Sequence, residues 1–189
     1  MPHIALSPYS AVFWVEQQLD PQSLSYNIVS EHILSDRLDV NCLHTALQQL
    51  IEDHILFDSH VVQHNDQLFW EKNITISPLV YFDTCDDLDR FICQPFDLSQ
   101  GPLYRFALFK KDDNTFRFVM VFHNILLDAR GLNSVIDRIS DIDLPLYLIS
   151  KVSLLNLFPK QLSQLTCTSG KKFISIILVP PPPQVSHLP

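Results

Sequence analysis

Glycine is scarce in this chain. Of 189 residues only three are glycine, Gly101, Gly131 and Gly170, so a glycine-rich phosphate cradle has nothing to be built from. Cationic residues are also short: 13 lysines and arginines face 21 acids, for a net charge of −8, which argues against a nucleic-acid or anionic-membrane partner. No apolar run approaches the roughly 20 residues that a membrane-spanning helix needs. The opening residues Met1-Pro2-His3-Ile4 carry no basic segment ahead of an apolar stretch, so no signal peptide is expected and the cytoplasm is the expected location.

Metal and disulfide chemistry lack their usual patterns as well. The four cysteines, Cys42, Cys85, Cys93 and Cys167, form no C-x-x-C pair and are expected to be reduced, partly buried thiols. His60 and His64 are four apart, but the alternation around them predicts a strand and turn, where that spacing does not converge on one ion. No metal site and no directly bound cofactor is expected.

What is present is a folding sequence: 47% of its residues are hydrophobic and 18% charged, enough for one domain or one lobe of a larger one. Its character changes at Asp143. The 21 acids all lie at or before that residue, whereas Leu144 to Pro189 hold four lysines, no acid and the run Pro180-Pro181-Pro182-Pro183. The expected division is therefore 1–143, a folded lobe, and 144–189, an atypical proline-containing tail, either disordered or written in a shifted reading frame. The proline run favours extended polyproline II backbone.

Before the break, helices and strands mix. Ser7-Pro8 predicts a helix start, with Ala11, Trp14, Val15 and Leu19 on one side to about Leu19. Tyr26 to Leu34 reads as a strand, and Asp39 caps a helix whose Val40, Leu43, Leu47, Leu50 and Ile51 recur at helical spacing. Phe57–Val62 and Gln67–Glu71 predict a hairpin, and Leu79–Phe82 a short strand. Thr84 with Asp87 predicts a capping box ahead of a short helix to Cys93. Leu103–Lys110 and Thr115–Phe122 predict adjacent antiparallel strands, apolar on both faces and so covered on both. Leu132, Val135, Ile136 and Ile139 form the inward stripe of a later helix. The sum is α/β, a mixed sheet with packed helices.

Chemistry concentrates in Val121-Phe122-His123-Asn124-Ile125-Leu126-Leu127-Asp128-Ala129-Arg130-Gly131, between the second of those strands and that helix. A His and an Asp at a strand's mouth are raw material for acid/base work. The segment resembles the His-His-x-x-x-Asp-Gly signature of condensation domains from nonribosomal peptide synthetases, with Asn124 at the second His and Ala129 at the Gly. Leu6-Ser7-Pro8, Trp14, Gln18-Leu19-Asp20-Pro21 and Ser25-Tyr26-Asn27-Ile28 are similar to the family's opening motif, with Ser10 and Val12 where Gln and Arg are usual. Leu50-Ile51-Glu52-Asp53-His54 through Phe57 is similar to the second motif, with Asp53 and Asp58 at usually basic positions. Pro95 to Arg105 is similar to the segment that leads to the signature.

The resemblance implies one chloramphenicol-acetyltransferase-like lobe of a two-lobed domain, with the signature loop at the cleft. It implies amide formation between thioesters tethered to phosphopantetheine on peptidyl or acyl carrier protein domains, the cofactor being carried by those partners. The catalytic positions it carries over are His123, Asn124 and Asp128. His123 either shapes the loop or is a strand-end histidine bonded to backbone. Asn124 stands where the family places the residue credited with positioning or deprotonating the amine, and an Asn amide takes up no proton. Asp128 matches a structural carboxylate that pairs with arginine, for which Arg105 and Arg130 are the nearest candidates. Trp14 and Trp70 read as buried aromatics, and Arg105 as solvated or touching a carrier's phosphate. Three readings stand: a truncated condensation protein with lost or reduced activity, a non-catalytic carrier-binding module, and a gene remnant whose frame is lost near residue 143.

Overall fold

The computed structural model describes residues 4–35, 38–72, 79–113, 115–141, 149–154 and 174–176. Strand β1 (Ile4–Ala5) precedes helix α1 (Pro8–Leu19), strand β2 (Asn27–Ser35) and helix α2 (Val40–Asp53). Strands β3 (Ser59–His64), β4 (Gln67–Lys72) and β5 (Leu79–Phe82) lead to the short helix α3 (Leu88–Ile92). The long strands β6 (Tyr104–Asp112) and β7 (Thr115–His123) then run into helix α4 (Ala129–Asp141), and strands β8 (Ile149–Leu154) and β9 (Ile174–Ile176) follow.

Two sheets result: a three-stranded one ordered β1-β4-β3, and a six-stranded one ordered β5-β6-β7-β2-β8-β9. In the larger sheet β5 is parallel to β6 and β9 to β8, while the other pairs are antiparallel, so the sheet is mixed and the class is α/β. The β6–β7 ladder pairs Tyr104 with Phe122 and Phe106 with Met120, the antiparallel pairing expected of those two runs. Both strands reach further than expected, to Asp112 and to His123, so the connection between them is shorter.

One face of β6 and β7 carries Tyr104, Phe106, Phe118 and Phe122, and Phe57 packs on Tyr104 and Phe122 there. On the other face Phe109 stacks on Phe82 at 4.5 Å and meets Phe91 edge-on at 5.7 Å. Phe118 through Phe122 are accordingly all buried, each large apolar side chain contributing about 1.5–3 kcal/mol by leaving water. This is why the two runs lack a polar face.

The helices form largely for the expected local reasons. Ser7 Oγ accepts from Ser10 N at 3.0 Å with Pro8 opening α1, and Asp39 Oδ1 accepts from Asn41 N and Cys42 N to cap α2. Leu132, Val135, Ile136 and Ile139 are the buried stripe of α4. Arg138 on α4 pairs with Asp53 at the end of α2. Between β3 and β4, Asn65 and Asp66 both take positive φ, 48° and 62°, the pattern of a two-residue type I′ hairpin turn.

Three local expectations are corrected. On α1 the buried residues are Phe13 and Gln17, whereas Val15 and Leu19 are 51% and 82% exposed. Phe13 is held by an edge-on contact with Tyr26 at 4.9 Å, which rotates the helix away from the expected stripe. The Thr84–Asp87 capping box does not form: Thr84 Oγ1 donates to Asp86 Oδ2 instead, and α3 begins at Leu88 with no side-chain cap. Among the thiols, Cys42 and Cys85 are half-buried, but Cys93 ends α3 and is exposed.

Strands β8 and β9 lie beyond the expected boundary at residue 143 and extend the larger sheet from β2. The boundary itself, Cys167 and the proline run 180–183 fall outside the described residues. No helix among the described residues is long and apolar enough to cross a membrane.

Candidate functional site at the end of β7

His123 is the last residue of β7 rather than the first of the loop, and it sits opposite Asn27 in the ladder with β2. Its backbone N–H donates to Leu103 O at 3.0 Å, and its carbonyl accepts from Leu126 N at 3.0 Å to close a turn. The side chain is fully buried, between Phe96 (edge-on, 6.1 Å) and Tyr26 (tilted, 5.9 Å). Its Nδ1 accepts from Ile125 N at 3.1 Å, and Nε2 lies 3.4 Å from Gln17 Oε1. Burial pushes its pKa down from 6.5 to about 3, because desolvation penalises the charged form of the ring. At neutral pH His123 is therefore a neutral imidazole, bonded to backbone.

Asn124 is anchored through its backbone, whose N–H donates to Tyr26 O at 2.8 Å. Its side chain is half-buried and has no hydrogen-bond partner among the described residues. A carboxamide so placed can donate and accept hydrogen bonds, but it has no proton to exchange near neutral pH.

Asp128 departs from expectation. It is exposed, and no cation among the described residues pairs with it. Its Oδ1 accepts from Arg130 N at 3.0 Å and Gly131 N at 2.8 Å, so it serves as the N-cap of α4. The carboxylate satisfies orphan helix donors where an arginine was expected. Gly131 is inside the helix and takes no unusual backbone angle; a Cβ there would come within 2.9 Å of Leu127 Cβ. The small residue lets α4 approach the loop closely.

Arg105, expected outward, turns in. It lies on the same face as His123 and Asn27, donating to Gln94 O at 2.7 Å and Pro95 O at 3.3 Å. Its pKa falls from 12.5 to about 10, chiefly through burial. Asn27 Nδ2 donates to the same Gln94 carbonyl at 2.9 Å, so two strands hold the segment that presses Phe96 against His123. Beside this segment, Gln17, Gln18, Pro21, Gln22, Pro95 and Phe96 line a cleft of about 320 Å³ whose rim includes Asp97 and, among the described residues, no basic one.

Thus the structure brings His123 and Asn124 together at one strand end and sets Asp128 at the helix start. Gln17 escaped the sequence reading, since a single Gln on an amphipathic helix carries no local sign that its partner lies 106 residues away. Asn27 was legible only as part of a motif, not as a ligand of Gln94. Spacing from Phe13 to Gln17, one helical turn, is the signal that would have found the inward face.

Residues 2–144 match the family described as Condensation domain. The chain is 30% identical over 135 residues to surfactin synthase subunit 2 of Bacillus subtilis (strain 168), covering 67% of this chain and 4% of that protein. To tyrocidine synthase 2 of Brevibacillus parabrevis it is 28% identical over 130 residues, 66% of this chain and again 4% of the relative. The starter condensation domain of rhizomide synthetase RzmA superposes with a TM-score of 0.68 at 22% identity, over 75% of this chain and 37% of that one. The chain belongs to the condensation-domain family of nonribosomal peptide synthetases, and its mixed α/β fold is that of a chloramphenicol-acetyltransferase-like lobe. It spans a small fraction of its curated relatives and little more than a third of the rhizomide domain.

Proposed function

We propose that this chain is a condensation-type lobe from nonribosomal peptide synthesis whose amide-forming acyl transfer is lost or much reduced. The observation that carries this reading is the pair at the end of β7. Asn124 is half-buried and carries no titratable group. Its neighbour His123 is buried, with Nδ1 engaged by Ile125 N–H and a pKa lowered to about 3, so it is too weak and too enclosed a base to take over. General-base catalysis is typically worth about 10²–10⁴-fold. The chain assayed alone also spans only 37% of the rhizomide domain chain, and orientation by the remaining surfaces can supply roughly 7–11 kcal/mol of barrier. Peptidyl or acyl carrier domains bearing phosphopantetheine would be its partners, and phosphopantetheine would arrive on them. Single-turnover amide formation with loaded donor and acceptor carriers tests the reading on wild type and Asn124→His. Neither is expected to give product above background; robust turnover by wild type overturns the reading.

A second reading, a non-catalytic carrier-binding module, is favoured by the outer face of α1. Tyr9, Val12 and Leu19 are 75%, 52% and 82% exposed there, an apolar strip without cover among the described residues. Titrating a phosphopantetheinylated carrier against the ¹⁵N-labelled chain tests this second reading. Shifts confined to α1 amides support the module; unperturbed spectra remove it.

A further inference from the structure

The geometry around His123 points to a role for Gln17: we propose that Gln17 is a positioning residue, through which α1 locks the His123 ring and thereby the turn that presents Asn124. This rests on the reading of that loop as the condensation signature, but its test does not need amide formation.

Gln17 is 98% removed from solvent, since only 2% of it is exposed, and it is polar. Its carboxamide orientation follows from its neighbours. Nε2 donates to two carbonyls, Pro21 O at 3.2 Å and Ser23 O at 3.4 Å, which accept only. Oε1 is therefore the atom that faces His123 Nε2, and that nitrogen must be the donor. The other end of the ring gives the same answer independently. Ile125 N–H is a donor, so His123 Nδ1 must be unprotonated to accept it. Both ends select the Nε2–H tautomer.

The chain of contacts then runs from α1 to the loop. Gln17 satisfies the buried Nε2–H, the ring's Nδ1 holds Ile125 N, and the His123 carbonyl holds Leu126 N. Asn124 lies inside this turn. Without Gln17 the ring keeps a buried donor with no acceptor, which favours a rotated ring or the other tautomer, and either releases Ile125.

The test is Gln17→Leu, which keeps the bulk and removes all three hydrogen bonds, measured by ¹⁵N NMR of the imidazole and by amide exchange. Expected are a changed pair of His123 ring-nitrogen shifts and an Ile125 exchange rate at least ten times faster, while Val119 in mid-β7 changes by much less. A core variant on another helix, Leu43→Ala in α2, should raise Ile125 and Val119 together and leave the imidazole shifts alone. Equal acceleration of Ile125 and Val119 in Gln17→Leu, or unchanged ring shifts, overturns the proposal. Should Gln17→Leu fail to fold, Gln17→Met carries the same measurement. These readouts concern the loop alone, so activity in the wild type would sink the functional reading without touching this one.

Discussion

The guanidinium carbon of Arg105 sits 4.1 Å above the ring of Phe96. That contact, with the two carbonyls of Gln94 and Pro95, ties the segment before β6 to the sheet face on which His123 ends. Among the described residues the arginine has no carboxylate partner, and its charge is met by a ring face and by carbonyl dipoles.

Replacing it should therefore cost stability through geometry more than through charge. A cation–π contact contributes about 0.5–2 kcal/mol and hydrogen bonds from a charged donor about 1.5–3 kcal/mol. Arg105→Ala should lose about 3 kcal/mol in urea unfolding. Arg105→Lys should recover only part of it, because an ammonium cannot lie flat on Phe96 while reaching both carbonyls. Full recovery by lysine would mean that the charge alone matters.

The capping role of Asp128 makes a second expectation. Asp128→Ala should cost about 1 kcal/mol, the usual loss of an N-cap acceptor, whereas Asp128→Asn and Asp128→Ser should stay within a few tenths. Unfolding midpoints in urea at low and high salt check this. If Asn loses as much as Ala, and salt erases the loss, the carboxylate serves an ion pair and not the cap.

Much of this fold is written locally. The alternation in Leu103–Lys110 and Thr115–Phe122 survives because both faces of a central strand must be apolar, and no other element competes for those residues. Asp39 is equally legible, since its acceptors are the next residues along the chain. The face of α1 is not. Val15 and Leu19 offer a plausible stripe, and what selects Phe13 and Gln17 instead is Tyr26 and the ring of His123, far along the sequence. The same limit applies at the site. That Asn124 carries no titratable proton is plain from the residue, but the neutrality of His123 depends on Phe96, Tyr26 and the backbone of Ile125 closing around it.

That neutrality has a measurable sign. In the unfolded chain His123 titrates near 6.5, and in the folded chain near 3, so between those values the unfolded state binds a proton that the folded state refuses. Its contribution is complete above pH 6.5 and is lost as pH falls toward 3, at about 1.4 kcal/mol per unit inside that window. His123→Leu should be less stable than wild type at pH 7, because it strands the Ile125 N–H, a loss of about 1–3 kcal/mol. Lowering the pH to 5 should then cost the wild type about 2 kcal/mol that the variant does not lose, so the two unfolding curves converge. Other acidic groups titrate in both proteins and cancel in the difference. Urea unfolding of both at pH 7 and pH 5 gives the answer, with the His123 C2–H resonance as a second check, expected not to titrate between pH 8 and 5. A gap between the curves that stays constant, or a ring that titrates near 6.5, would mean that the imidazole reaches water and can serve as a base after all.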